Sequence, residues 1–574
     1  MNTQPTPKDY SNLTKAQLIE LIHGMENSKQ YGLVWDAERV PEKVVEDCKF
    51  MLPVLKEVAT KRIQTSDEDL THILIEGDNY HALSTLNYTH AKKIDLIYID
   101  PPYNTGKANE WKYNDKFVDK TDNYYHSKWL QMMSTRLIAA FNLLTENGII
   151  LISIDDHELA NLKLLSNKIF GESNWLETFI WNTEGNIDNQ KKIKSKHEYI
   201  LAFAKNEKLF KAPTVIDPNI SQDSKLYNDT IENSITKNGP KNPTSKVIAP
   251  IGFPCLEKEG LIKATDKSWP KIHNEINIFN YETTNETVFE SGWSSKSLLE
   301  QFIKNQFEPI IDSKGQKTWF KITKTGAIYV YKSRSSDQSH VLSVLSNFGT
   351  TKKNSEELKR MGIAFNFPKP VDLVKYILQL HNNKNATIVD FFAGSGTTGH
   401  AVLNLNKEDG GKRQFILCTN NENKIAEEIT YKRILKVVEG YGANQGIPAN
   451  VRYYKTDFVK KTSNKGQVRM DVTWSCTEML CVKEGIYELY KESFDWKIFK
   501  HNDKIMAIYY DFATANLSEI KEELEQLEGQ KTLYQFCQNP LGFNEKEVLS
   551  WEDLGIKLKT IPQKILDIYN QLYK

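Results

Sequence analysis

The mostly apolar run Ile94-Asp95-Leu96-Ile97-Tyr98-Ile99 stops abruptly at Asp100-Pro101-Pro102-Tyr103. Such a run reads as a buried strand, and two prolines end it, because proline fixes φ and lacks the N–H a ladder needs. Comparable runs recur along the chain. His72–Ile75 leads into Glu76-Gly77-Asp78-Asn79, Ile149–Ile154 into Asp155-Asp156, Thr387–Val389 into Asp390 and a glycine-rich loop, and Gln414–Cys418 into Thr419. Helical spacing fills the intervals at Tyr80–Leu86, at Trp129–Leu144 (closed near Asn147-Gly148) and at Pro370–Leu380. This alternation predicts an α/β fold with a doubly wound, mostly parallel, Rossmann-like sheet, whose ligands gather beyond the C-terminal strand ends.

A chain of 574 residues exceeds one ordinary core, and its texture suggests five regions. Residues 1–70 read as a helical lead-in, with Leu13–Ile22 and Val44–Val58 both at helical spacing, and residues 71–171 hold the first part of the α/β core. Residues 172–345 are rich in Asn, Lys, Ser and Thr, with scattered tryptophans and short β-like runs such as Ala327–Tyr331, and read as an inserted recognition domain. The core resumes over 346–455, and 456–574 reads as a small α+β region for dimer or partner contacts, with a strand at Lys504–Asp511 and a closing amphipathic helix over 562–573. Lys+Arg and Asp+Glu both number 74, so overall charge names no partner; the stretch 186–250, however, holds 11 Lys against 7 Asp+Glu. The six cysteines form no CxxC pair and no metal-ligand spacing, no apolar run is long enough to span a bilayer, and the polar start lacks a signal-peptide core. A soluble cytoplasmic protein with reduced thiols and no bound metal is the expectation.

Gly394-Ser395-Gly396-Thr397-Thr398-Gly399 satisfies G-x-G-x-x-G after a strand, a pattern shared by dinucleotide sites. A P-loop does not fit, because His400 stands where the phosphate-gripping lysine would be. Asp390 favours a different ligand: a carboxylate repels pyrophosphate but pairs with an ammonium. With Phe392-x-Gly394-x-Gly396, the loop is similar to the F-x-G-x-G motif of S-adenosylmethionine-dependent methyltransferases. Asp100-Pro101-Pro102-Tyr103 has matching chemistry. Asp100 and the Pro101 carbonyl can accept both N–H bonds of an exocyclic base amine, on a turn that two prolines hold rigid. Tyr103 offers a stacking face for a base flipped out of its duplex. A rigid turn with Asp100 as a helix cap remains the plainer reading of the tetrapeptide alone.

Taken together, these segments make the chain resemble the modification subunit of Type III restriction–modification systems, a β-class adenine-N6 DNA methyltransferase. The resemblance covers most of residues 70–440 and rests on Ile75–Asn79, Ile97–Gly106, His126–Leu130, Gly148–Glu158, Lys194–Leu201, Phe367-Pro368-Lys369-Pro370, the glycine loop and Cys418–Asn423. A catalytic motif, then an insert, then the cofactor loop is the β-class order. The resemblance implies that Asp100, Pro101, Pro102 and Tyr103 hold the target adenine. It implies that Asp390, Phe392, Ala393, Gly394, Ser395, Gly396, Thr397 and Thr398 wrap S-adenosylmethionine, with Phe367 and Lys369 lining the same pocket. Asp78 would approach the cofactor's adenine or else cap the following helix. Thr419 stands where an acidic ribose ligand is usual, so Asn421 or Glu422 would replace it. Lys191, Lys192, Lys194 and Lys196, with Lys332 and Arg334, are candidates for phosphate contacts or for solvated loops. Double-stranded DNA, a homodimer and a separate restriction subunit with helicase and nuclease activities are the implied partners. An orphan or cytosine-N4 enzyme of the same class is the near alternative, and a nucleotide-binding oxidoreductase or a non-catalytic DNA-binding module the distant one.

Overall fold

Ten strands hydrogen-bond into one sheet in the computed structural model, which describes residues 14–15, 35, 42–105, 124–183, 192–221, 223–224, 227–333, 339–510 and 517–573. In chain order they are β1 (Met51–Glu57), β2 (Thr71–Glu76), β3 (Ile94–Ile99), β4 (Leu144–Ile154), β5 (Trp175–Asn182), β6 (His197–Ala204), β7 (Val344–Leu345), β8 (Thr387–Asp390), β9 (Gln414–Thr419) and β10 (Asn450–Lys460). Their spatial order is β1-β10-β2-β9-β8-β3-β4-β6-β5-β7. The run from β10 to β4 is parallel throughout, and β1 and β6 join its two sides antiparallel. The inner strands are apolar on both faces, as a sheet covered by helices requires. The covering helices include α1 (Asn79–Thr89), α2 (Tyr125–Leu143), α3 (Leu159–Phe170), α4 (Val371–Leu378), α5 (Thr397–Asp409) and α6 (Lys432–Glu439).

Two expectations fail. Val44–Val58 is not one helix: after a short turn at Lys43–Asp47, Met51–Glu57 forms β1, paired with β10 from Met51↔Lys460 to Glu57↔Tyr454. Met51-Leu52-Pro53-Val54-Leu55 has no polar helical face, and Pro53 would break a helix interior while an edge strand tolerates it. The second helix expected there, Leu13–Ile22, lies almost wholly outside the described residues. The insert expected over 172–345 corresponds to a compact unit that begins later and ends earlier. The chain divides into one unit of residues 1–211 with 342–574 and a second of 212–341. Residues 175–204 supply β5 and β6 to the main sheet, where Phe179 and Trp181 are buried and residues 200–204 form a continuous buried apolar run.

The 212–341 unit consists of three small antiparallel sheets around Phe253, Phe289, Trp293, Phe302 and Phe320. Within the larger unit, the C-terminal region carries a five-stranded sheet of Leu489–Glu492, Trp496–His501, Lys504–Tyr509, Gln530–Phe536 and Ile556–Ile561. Its first two pairings are antiparallel and its last two parallel, with helices between the last three strands. The closing helix spans Gln563–Leu572, and its Tyr569 hydroxyl donates to the Pro53 carbonyl of β1. All six cysteines are buried and unpaired. Among the described residues no helix is long and apolar enough to cross a membrane.

Candidate active site

β3 and β8 lie side by side, with Leu96 opposite Ile388 and Ile97 opposite Val389. From β3 the chain moves through α2 to β4 on one side, and from β8 through α5 to β9 on the other. The strand order therefore reverses between them, which opens a crevice beyond their C-terminal ends. Asp100 and Asp390 stand on either side of it, in a cleft of about 650 Å³ that is partly open to solvent.

At the β3 end, the Lys369 Nζ lies 2.9 Å from both Asp100 carboxylate oxygens, 2.8 Å from the Tyr103 hydroxyl and 3.2 Å from Glu198 Oε2. Tyr103 Oη is within donating distance of both acids, 2.8 Å from Asp100 and 3.0 Å from Glu198. Burial pushes the Lys369 ammonium down, but the Asp100 and Glu198 charges outweigh it and hold its pKa above the usual value. Lys369, expected to line a cofactor pocket, lines the cleft and also neutralises the acid of the Asp-Pro-Pro-Tyr turn. Tyr103, expected as an open stacking face, is only 8% exposed, with the ammonium 5.0 Å from its ring centre. The turn itself is clamped: Trp129 Nε1 of α2 donates to the Pro102 carbonyl at 2.7 Å. Asn104, at φ 59°, donates to buried Glu158, which the His126 ring also contacts at 2.6 Å. The Pro101 carbonyl takes no hydrogen bond from the described residues, which leaves it available as an acceptor.

At the β8 end, Asp390 accepts from the Phe392 N–H at 3.0 Å and the Thr398 hydroxyl at 2.5 Å, and no described cation touches it. Burial raises its pKa to about 7. Gly394 and Gly396 take φ of 51° and 75°, a left-handed turn that brings the backbone onto the cleft, and Gly396 leads into α5. Gly399 serves packing: a Cβ there would lie 2.7 Å from Ile434 Cδ1. Thr430 Oγ1 fixes the loop from behind by donating to the Gly394 carbonyl at 2.6 Å. Phe367, Phe392, Ala393, Gly394, Ser395, Thr397 and Thr398 line the cleft, as does Lys369 from the Asp100 side.

A second recess of about 630 Å³ shares Pro102 and Phe392 with the cleft and is lined by Asp78, Arg136, Thr419, Asn420 and Glu422. Asp78 caps α1 by accepting from the Tyr80 N–H at 2.8 Å, lies 3.3 Å from Arg136, and also lines this recess. Asn421 does not face this recess. Its side chain accepts from the Glu427 N–H, leaving Glu422 as the acidic lining residue beside Asp78.

Of the basic candidates, Lys192, Lys194 and Lys196 are exposed between β5 and β6. β6 begins beside the C-terminal end of β4, with Ile154 opposite Tyr199, so this segment emerges at the same sheet edge as the cleft. Lys332 is different: it pairs at 2.6 Å with buried Asp312, and its charge is spent inside the 212–341 unit. Lys191 and Arg334 lie outside the described residues. Two residues of the site, Glu198 and Arg433, escape sequence reasoning. Glu198 lies in the segment Lys194–Leu201 that carries the resemblance, but its partner Tyr103 stands 95 positions away, and Arg433 is a single arginine on a helical face with no local pattern to mark it.

With this geometry in place, comparison with known proteins is specific. A DNA methylase family model matches residues 94–432, well over half the chain. The Type III restriction-modification enzyme EcoPI Mod subunit of Escherichia phage P1 is 29% identical over 467 residues, covering 74% of this chain and 70% of that one. The StyLTI Mod subunit of Salmonella typhimurium is 30% identical over 413 residues, covering 65% and 58% respectively. The Type II methyltransferase M.KpnI of Klebsiella pneumoniae is 29% identical over 382 residues, covering 65% and 86%. The chain thus spans between about three-fifths and most of the length of these relatives, and it belongs to the DNA methylase family.

Proposed function

We propose that the chain moves a methyl group from S-adenosylmethionine to the N6 amine of an adenine flipped out of double-stranded DNA, as the modification subunit of a Type III system. The observation that carries this reading is that Asp100 and Asp390 end neighbouring parallel strands and open into one cleft. The residues around Asp390 fit the cofactor. A buried carboxylate with no cation suits an ammonium, the Gly394–Gly396 turn admits close approach, and the Ser395 and Thr397 hydroxyls suit a carboxylate. Asp390, Phe392 to Thr398 and Phe367 would hold the methionine side, with Asp78 and Glu422 of the adjoining recess on the nucleoside side. Bound there, the cofactor supplies an electrophilic methyl group.

Asp100 and the Pro101 carbonyl accept the N–H bonds of the target amine, which turns its lone pair toward the donor. In the free chain Lys369 occupies Asp100, so the arriving amine displaces it, and Glu198 retains a counter-charge for the shifted ammonium. The hydrogen bonds from Asp100 through Tyr103 to half-buried Glu198 give the amine proton an exit. Lys192, Lys194 and Lys196 would grip phosphates at the same sheet edge. The proposal includes a homodimer and a separate restriction subunit, working in a bacterial cytoplasm. Tritium transfer from labelled S-adenosylmethionine to mixed-sequence DNA, followed by base analysis, tests it. N6-methyladenine is expected; N4-methylcytosine would reassign the base, and no transfer to any DNA would end the reading.

A further inference from the structure

Arg433 of α6 is fully buried directly behind the glycine loop. Its Nη1 lies 3.0 Å from Ser395 Oγ, 2.8 Å from Thr397 Oγ1 and 3.3 Å from the Ser395 carbonyl, and its Nη2 lies 3.4 Å from His400 Nδ1. Its Nε has no partner among the described residues. None of these neighbours is an acid. His400 is held neutral, its pKa pushed well down by burial and by the nearby Arg433 and Lys375 charges. Glu357, the acid that acts on Arg433 from a distance, accepts a hydrogen bond from the Tyr441 hydroxyl. A guanidinium taken out of water without a contacting counter-charge carries a large desolvation cost, and nothing within the described residues offsets it by contact.

The hydroxyl protons show where the missing charge belongs. Ser395 and Thr397 both accept from Arg433, so their own protons point away from it. The two oxygens are 3.1 Å apart, which uses one proton; the other has no acceptor among the described residues. Both residues line the cleft, at the first turn of the 13-residue α5, where backbone N–H groups also favour an anion. On the same loop Asp390 is a buried acid without a cation. Two charges of opposite sign, uncompensated by contact among the described residues, therefore meet at one loop, Asp390 on it and Arg433 behind it.

We propose that Arg433 is the counter-charge for the carboxylate of an α-amino-acid headgroup bound at this loop, acting through the hydroxyls of Ser395 and Thr397. This rests on the cofactor reading above, in which the headgroup is the methionine end of S-adenosylmethionine. Arg433 is a positioning residue, since the hydroxyls touch the ligand.

Calorimetric titration of the full chain with S-adenosylhomocysteine and with methylthioadenosine, which lacks the amino-acid end, tests the assignment. Wild type should prefer the former. Arg433→Met should lose about tenfold or more in affinity for S-adenosylhomocysteine, the scale of a hydrogen bond to a charged group. Its affinity for methylthioadenosine should stay within about twofold, on the premise that sites without shared partners act independently. Equal losses for both ligands would make Arg433 a packing residue and overturn the proposal. If wild type binds neither ligand, the cofactor reading falls and this inference falls with it. Should Arg433→Met not fold, the Ser395→Ala/Thr397→Val double variant, which keeps the arginine, decides by the same ligand contrast.

Discussion

Two carboxylates end adjacent strands of one sheet, yet their electrostatic circumstances are opposite. Asp100 is saturated: an ammonium spans both its oxygens, a tyrosine hydroxyl reaches it, and a second acid shares the ammonium. Asp390 is buried with two neutral donors and no cation among the described residues. The difference teaches how the cleft divides its labour. The β3 end is charge-balanced before any ligand arrives, so a ligand there must compete with the protein for Asp100. The β8 end holds an acid that no described cation balances, so on the proposed reading the balancing charge comes with the ligand.

If the division is real, damage at each end should appear in a different measurement. The largest effect should come from Asp100→Asn. Single-turnover methyl transfer should fall by about 100- to 10,000-fold, the usual worth of a positioned proton acceptor. Affinity for S-adenosylhomocysteine should hardly change. A parallel loss of cofactor affinity would break the comparison, because the two ends would then be one site. Next comes Lys369→Met, which leaves Asp100 and Glu198 without their shared cation. Removing one partner of a buried pair costs about 3–5 kcal/mol, readable in urea melts. Adding Glu198→Gln should recover part of it, since one acid fewer remains uncompensated.

How much of this is legible in the sequence follows from the range of each interaction. The strand ends are legible because an apolar run, an acid and a proline or glycine turn are contiguous in sequence. That covers β2, β3, β4, β8 and β9, the Asp-Pro-Pro-Tyr turn and the glycine loop. Lys369 lies in a recognisable segment, but its partner stands 269 positions away, and only the closing of the sheet brings them together. Arg433 leaves no trace because its meaning is an absence, a buried charge without an acid, and absence has no motif. β5 and β6 read as part of the insert because Trp175 and Trp181 belong to the scattered aromatics that mark it, and only the pairing of β6 with β4, well earlier in the chain, ties them to the main sheet.

At the β8 end the effects should be smaller and fall on binding. Asp390→Asn should weaken S-adenosylhomocysteine by about 10- to 100-fold, as expected for one hydrogen bond to a charged group. The transfer rate at saturating cofactor should suffer less. Its pH dependence is distinctive. Burial raises the Asp390 pKa to about 7, and a ligand ammonium favours the ionised form, so affinity should climb to about pH 7 and level off above. Below that point it should fall by about tenfold per unit, and Asp390→Asn should remove the slope. The sign for folding is reversed. Between the unfolded value of 3.8 and about 7 the folded chain holds the extra proton, so this group's contribution to stability declines as pH rises through that window. Melting curves of wild type and Asp390→Asn across that window would show the decline in the first and its absence in the second.

The same distinction between spent and available charge separates the lysines, with the smallest effects. Lys332 is tied at 2.6 Å to Asp312, whose carboxyl it holds below the usual range, whereas Lys192, Lys194 and Lys196 are exposed at the edge where the cleft opens. Only charge not already neutralised inside the protein can release counterions from DNA. The triple alanine variant at 192, 194 and 196 should therefore make the dependence of log K on log salt less steep, by about 0.9 for each phosphate no longer neutralised. Lys332→Ala should leave that slope alone and instead lower the melting temperature slightly, because Asp312 is deprived of the ion pair that compensates it. Fluorescence anisotropy on a labelled duplex at several salt concentrations reads the first, and a thermal melt the second. Exchanged outcomes would mean that pairing inside the fold does not decide which charges face a ligand, and the contrast drawn between Asp100 and Asp390 would lose its footing as well.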